Sequence, residues 1–156
     1  MSFRIEILSD AHPRGDFLCG APALERYLQQ QAGQDMRRRL AYCFVVLTDS
    51  GGLAGYYTLA ATSIPLDGLV AAQTRRLPRY PSIPAALLGR LAVSVAHQGF
   101  GLGAALLFDA LQRAARSEVV AHLLVVDAGD EAAAGFYRHH GFEALPDVPL
   151  RLIRRI

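Results

Sequence analysis

The sequence predicts an α/β fold of the mixed α+β type, in which helices cover the faces of a mixed sheet. Hydrophobic residues make up 52% of the 156 residues, which is enough to bury a core without disulfides or metal. Short β-branched or aromatic segments alternate along the chain with segments of helical periodicity. Their order implies parallel as well as antiparallel neighbours. We expect a single domain over residues 1–156.

The first half of the chain predicts one helix and three strands. Residues 21–34 carry apolar side chains at helical spacing, and the turn at 49–52 joins the last two strands into a hairpin. Four prolines over residues 65–84 favour a surface excursion, with at most a short helix before Pro78. On the second hairpin strand Tyr56 and Tyr57 alternate, so we expect one in the core and the other near a substrate. The predicted strands are 3–8, 41–48 and 53–64.

The second half predicts two strand-helix units and two closing strands. One helix spans about residues 102–116, and another runs from a cap at Asp130 to about His140, where Gly141 ends it. On the last strand we expect Arg151, Arg154 and Arg155 to be exposed. The predicted strands are 87–95, 121–126, 142–145 and 150–156.

All sixteen basic residues are Arg, and the formal net charge is +2. Planar guanidinium groups bind phosphate with two hydrogen bonds, so the clusters at 37–39 and 75–79 are compatible with a nucleic-acid-binding patch. A GC-rich gene is the simpler explanation for the absence of Lys. Spatial clustering of the Arg residues would favour the patch.

The N-terminus predicts no leader peptide, because no cationic start precedes an apolar run. Two cysteines, Cys19 and Cys43, lack metal-ligand spacing, and His139 and His140 are adjacent rather than one helical turn apart. We therefore expect no metal site. No apolar run approaches the roughly 20 residues of a membrane span, so we expect a cytoplasmic protein without a membrane anchor.

Three glycines, Gly99, Gly101 and Gly103, separate a buried strand from a helix N-terminus. Unpaired amides and the helix dipole favour an anion there, and glycine lets the backbone approach a phosphate closely. A tight turn without a ligand is one alternative. Dinucleotide binding is another, because 99–104 satisfies G-x-G-x-x-A and Asp127 ends the next strand. The short remainder of the chain disfavours a doubly wound half-sheet.

Three segments together resemble the GNAT superfamily of N-acetyltransferases: the strand 88–93, the turn 98–103 and the helix end 136–142. The turn is similar to the signature Q/R-x-x-G-x-G/A, and residues 133–142 are similar to the motif A-x-x-F-Y-x-x-x-G-F. Two separated motifs in the family's order are more specific than one glycine pattern.

The resemblance implies a mostly antiparallel twisted sheet with a splay between the two central parallel strands, and acetyl-CoA as cofactor. It implies that the turn binds the pyrophosphate and that backbone amides of the preceding strand bind the pantetheine arm. The cofactor-binding residues so implied are Leu91, Ala92, Val93, Gln98, Gly99, Phe100, Gly101, Leu102, Gly103, Ala104, Asp130, Ala133 and Phe136.

Tyr137 matches the family's tyrosine, which implies the catalytic role of protonating the departing thiolate. A phenol with an ordinary pKa near 10 is protonated at neutral pH and can donate. From composition alone, Phe136 and Tyr137 would be adjacent aromatic residues of a packed helix. No general base is identifiable from the sequence.

More narrowly, residues 17–20, 24–28, 55–59 and 84–93 resemble the acetyltransferase toxins of bacterial toxin-antitoxin pairs. That resemblance implies acetylation of aminoacyl-tRNA, a block of translation, a ribbon-helix-helix antitoxin and a homodimer. The phosphate contacts to tRNA would come from Arg37, Arg38, Arg39, Arg75, Arg76, Arg79 and Arg90.

The sequence leaves two other functions open: acetylation of a small amine or protein amino group, and a non-catalytic binding module with the same fold. Three positions also depart from the family pattern. Ser94 stands where an acid is frequent, Glu25 replaces a frequent Asp, and Asp130 replaces a frequent Asn.

Overall fold

A computed structural model describes residues 2–75 and 77–156, and within them the strands form a seven-stranded mixed sheet. Its order is β1-β2-β3-β4-β5-β7-β6. The pairs β1–β2, β2–β3, β5–β7 and β6–β7 are antiparallel, whereas β4 and β5 are parallel. The strands are β1 Arg4–Ile7, β2 Tyr42–Leu47, β3 Leu53–Pro65, β4 Ser82–Val93, β5 Leu123–Asp127, β6 Glu143–Leu145 and β7 Val148–Arg155.

The helices follow the predicted order, with one irregular segment. The first helical run consists of α1 Pro22–Arg26, a π-helical segment Tyr27–Gln31 and α2 Ala32–Arg37. The others are α3 Ala71–Thr74, α4 Leu102–Arg116 and α5 Glu131–His139, with single 3-10 turns at Leu66–Gly68 and Val95–His97. In the described part of the chain no helix combines the length and apolarity needed to cross a bilayer.

Two compact units make up the fold, and the first comprises residues up to Ala60 together with Gly89–Ala110. Both Tyr56 and Tyr57 are fully buried in it, so the expectation that only one would lie in the core is wrong. The Tyr56 hydroxyl donates to the Leu24 carbonyl at 2.7 Å, and Tyr57 donates to Asp109. The core cluster consists of Leu8, Phe17, Tyr27, Leu28, Ala32, Cys43, Val45, Tyr56 and Ala92.

The second unit comprises Ala61–Leu88 and Leu111–Ile156. It contains the parallel register, in which Ala85–Leu88 pair with Leu123–Val126, and the antiparallel register of β5 with β7. Both faces of β5 are covered, because four of its five residues are buried. The core cluster consists of Ile64, Leu69, Ile83, Ala85, Leu123, Val125, Leu145 and Ile153.

Two predicted boundaries differ from the observed ones by more than two residues. The first helical run continues to Arg37 instead of ending at residue 34. Strand β4 begins at Ser82, five residues before the predicted start, although it contains Pro84. Proline is tolerated there because it contributes only its carbonyl, which accepts from the His122 amide at 2.8 Å.

We expect Gly55→Ala to destabilise the protein. A β-carbon at Gly55 would lie 2.8 Å from the Ala92 carbonyl oxygen and 3.2 Å from a Leu106 methyl carbon. Such overpacking costs about 1–3 kcal/mol, measurable as a lower midpoint of urea unfolding. Gly15→Ala is the matched control, because no atom lies within 4 Å of a β-carbon there. Equal midpoints for the two variants would contradict this reading of the packing.

Candidate active site

The turn between β4 and α4 uses glycine because of its backbone conformation. Gly99 and Gly101 have φ angles of +85° and +82°, and a β-carbon at either position would have no atom within 4 Å. The left-handed φ, not crowding, therefore selects glycine. The turn is exposed from Gln98 to Gly101, and Phe100 keeps 83% of its surface accessible.

The first amides of α4 follow this turn. The Ala105 amide donates to the Gly101 carbonyl at 3.1 Å, which is the first i to i−4 bond of the helix. The amides of Leu102, Gly103 and Ala104 precede it and have no acceptor within an α-helical ladder. Leu102 itself is buried, whereas Gly103 and Ala104 are half-buried. With the dipole of a 15-residue helix, these amides form a site suited to an anion.

The Gln98 side chain holds the turn in place. Its amide nitrogen donates to the Cys19 carbonyl at 2.9 Å and to the Val93 carbonyl at 3.0 Å. The Val95 amide donates in turn to the Leu18 carbonyl at 2.8 Å. Gln98 therefore stabilises the turn by hydrogen bonds from its side chain to two backbone carbonyls.

The loop 17–20 is a part of the site that sequence reasoning did not identify. Glu25, at the position where the family often has Asp, accepts hydrogen bonds from the Cys19 amide at 2.8 Å and the Gly20 amide at 3.0 Å. Cys19 is half-buried, and burial raises the pKa of its thiol. The hydrogen bond between the Cys19 carbonyl and the Gln98 side chain joins residues 79 positions apart. No local sequence pattern could have indicated it.

The strand that leads into the turn is tightly packed. Ala92 is buried, and Leu91 and Val93 are half-buried. The next residue, Ser94, donates its amide to the Ala54 carbonyl at 2.8 Å, and its hydroxyl lies 2.6 Å from His97 Nδ1. The Ser94 hydroxyl therefore contacts the imidazole of His97, the last residue of the following 3-10 turn Val95–His97.

Tyr137 lies on α5, whose start is capped as predicted. The Asp130 carboxylate accepts from the Ala133 amide at 2.8 Å, and Gly141 ends the helix with a φ of +89°. Tyr137 is 8% exposed, with its ring 5.2 Å from the Phe136 ring and 5.5 Å from the Phe142 ring. Burial raises the pKa of Tyr137 to about 12. The phenol is therefore a neutral proton donor at neutral pH.

The predicted phosphate-binding Arg residues differ in their surroundings. Arg37, Arg38, Arg39, Arg75 and Arg79 are exposed to differing extents, as a phosphate contact requires. Arg76 lies outside the described residues. Arg90 is half-buried, and its guanidinium carbon lies 3.6 Å from the Tyr27 ring centroid, so this side chain already has a cation–π partner.

The π-helical segment was also not predicted from the sequence. A cavity of about 330 Å³ lies beside it, between Leu24, Arg26, Tyr27, Gln30 and Arg90. Single turns of π-helix often occur at functional sites. The Tyr27 hydroxyl donates to Asp35 at 2.7 Å, and burial together with that bond raises the pKa of Tyr27.

Comparisons with known proteins agree on one family. The model of the acetyltransferase (GNAT) domain matches residues 40–144. A tRNA-acetylating toxin of Mycobacterium tuberculosis is 35% identical over 148 residues, which are 94% of this chain and 87% of the toxin.

Solved structures are similar over almost the whole chain. The AtaT toxin in complex with acetyl-methionyl-tRNA superposes with a TM-score of 0.88 and 30% identity, over 99% of this chain and 95% of that one. A substituted AtaT bound to acetyl-CoA and to the C-terminus of the antitoxin AtaR gives a TM-score of 0.81 and 28% identity, over 98% and 92% of the two chains.

We expect Asp130→Ala to lower the unfolding free energy by about 1 kcal/mol, because the Ala133 amide loses its capping acceptor. Asp130→Asn keeps an acceptor oxygen and should remain within a few tenths of a kcal/mol of the wild type. Thermal unfolding of the three proteins measures the difference. An Asn variant as unstable as the Ala variant would show that charge, not the cap, stabilises this helix.

Proposed function

The chain belongs to the GNAT acetyltransferase family, and from this we propose that it is a toxin that acetylates the amino group of aminoacyl-tRNA and so blocks translation. The observation that carries the proposal is the similarity to a tRNA-acetylating toxin over 94% of the chain. The likeness to AtaT complexed with acetyl-methionyl-tRNA supports the same substrate class.

The glycine turn is our proposed binding site for the pyrophosphate of acetyl-CoA. The residues fit such a group, since Gly99 and Gly101 leave open space and the first amides of α4 are donors. Backbone amides of Leu91, Ala92 and Val93 would bind the pantetheine arm. The family resemblance makes Ala133 and Phe136 on α5 further candidates for cofactor binding. Asp130 would contribute by capping that helix, in which Ala133 provides the capped amide.

Tyr137 is our proposed catalytic residue. Acetyl transfer forms a C–N bond and breaks a C–S bond, so the amine loses a proton and the departing thiolate gains one. The buried phenol keeps its proton well above neutral pH, which makes it a competent donor throughout the physiological range. We assign no residue as the general base, and in this scheme water accepts the proton that the amine loses.

The proposed partners follow from the relatives. AtaT binds the C-terminus of the antitoxin AtaR, which supports an antitoxin for this chain. We propose one of the ribbon-helix-helix type, and a homodimeric toxin. A toxin acting on charged tRNA would work in the cytoplasm, where translation takes place.

The test of the reaction is the destination of labelled acetyl groups. The protein is incubated with radiolabelled acetyl-CoA and either bulk aminoacyl-tRNA or a panel of small amines. We expect label in acid-precipitable RNA that mild alkaline hydrolysis releases as N-acetyl-amino acid. Deacylated tRNA is the matched control and should remain unlabelled. Label confined to the small amines would replace the toxin assignment with a metabolic acetyltransferase.

We expect Tyr137→Phe to lower kcat by about 10²- to 10⁴-fold, because the thiolate loses its proton donor. The affinity for acetyl-CoA, measured by calorimetry, should stay unchanged. The wild type should keep the donor protonated through neutral pH and lose it only as pH approaches about 12. Tyr80→Phe, at a position 62% exposed, is the control. A Tyr137→Phe variant that is folded and still arrests growth would overturn the catalytic role.

A further inference from the structure

A cavity of about 680 Å³ lies within the second compact unit. We call it the basic cavity, because Arg75, Arg154, Arg155 and His122 line it. Arg75 follows α3, whereas Arg154 and Arg155 end β7. The fold thus brings together guanidinium groups that are far apart in the chain.

The charges of the basic cavity are unbalanced. Its one acidic lining residue in the described structure is Glu143, whose carboxylate lies 3.4 Å from the Gln73 amide nitrogen. Over residues 2–75 and 77–156, Arg154 and Arg155 form no ion pair with a carboxylate. Arg151, on the same strand, is instead held by Asp127 through bonds of 2.8 and 3.0 Å. Arg154 and Arg155 therefore keep their donors available for an anionic ligand.

Apolar surface accompanies these cations. Leu77, Leu123 and Ile153 line the same cavity, and the volume lies in the usual range for ligand sites, roughly 300–1,000 Å³. Planar guanidinium forks match phosphate oxygens, and apolar side chains pack against sugar and base. This combination suits a nucleotide strand better than a free inorganic anion.

The basic cavity adjoins the end of α5. Gly141 lines it, one helical turn after Tyr137, and the Phe142 amide donates to the Tyr137 carbonyl at 3.1 Å. A β-carbon at Gly141 would lie 3.4 Å from the Arg154 guanidinium, and φ is +89°. The left-handed φ selects glycine at this helix end, and Gly141 lies beside the Arg154 side chain.

We propose that the basic cavity binds phosphodiester groups of the RNA substrate. The inference rests on the proposed function for the identity of that RNA, and it adds Arg154 and Arg155 to the residues that hold it. Each bound phosphate releases counterions, so the cavity contributes to the salt dependence of binding.

The test is the binding of bulk deacylated tRNA to the full chain, by filter retention over a series of salt concentrations. We expect the double variant Arg154→Ala with Arg155→Ala to bind on the order of tenfold more weakly. The slope of log affinity against log salt should become shallower by about 0.9 for each phosphate that the variant no longer neutralises. The double variant Arg154→Lys with Arg155→Lys should retain most of the slope, because it keeps both positive charges. Arg116→Ala, at the end of α4 outside the cavity, is the matched control.

Acetyl-CoA affinity and thermal unfolding establish that each variant is folded. Wild-type affinity and salt slope in the folded double variant would overturn the proposal. It would also fall if the double variant kept its tRNA affinity and lost only affinity for polyglutamate, which would indicate an acidic protein partner. The assay involves no acetyl transfer. A chain that binds tRNA through the basic cavity but leaves aminoacyl-tRNA unlabelled would therefore reject only the proposed reaction.

Discussion

The left-handed backbone at Gly99 and Gly101 sets the direction in which the chain leaves β4 and begins α4. The helix begins directly after them, and its first amides have no acceptor within the α-helical ladder. The Gln98 side chain fixes this geometry by bonding the carbonyls of Cys19 and Val93. The proposed anion site therefore consists of backbone atoms, and the Gln98 side chain supports them.

The sequence could predict those structural features that depend on residues close together in the chain. Helix α4 has the predicted bounds, and Asp130 caps α5, because periodicity and capping are properties of a few consecutive positions. The π-helical segment could not be predicted, since its buried residues Tyr27 and Leu28 pack in a core assembled from distant parts of the chain. The early start of β4 has the same origin, because the His122 amide pairs with Pro84 across the sheet.

The same distinction between local and long-range features applies to the candidate active site. The resemblance to a family motif indicated Tyr137, but the sequence does not show which residues surround its side chain. The rings of Phe136 and Phe142 and the low exposure of the phenol keep it protonated. For Ser94, the departure from the family pattern has a local explanation in its bond to His97.

The arginines show why clusters along a chain differ from clusters in space. The run 37–39 was visible in the sequence, yet Arg90, predicted as a phosphate contact, stacks on Tyr27. Arg151, Arg154 and Arg155 were expected to be exposed, which is wrong for Arg151 and Arg154, because both are half-buried. Arg155 is exposed. The three side chains differ in their surroundings. Arg151 bonds to Asp127, whereas Arg154 and Arg155 line the basic cavity. An Arg side chain is available to a ligand where the fold brings no carboxylate to it, and that depends on the register of the sheet.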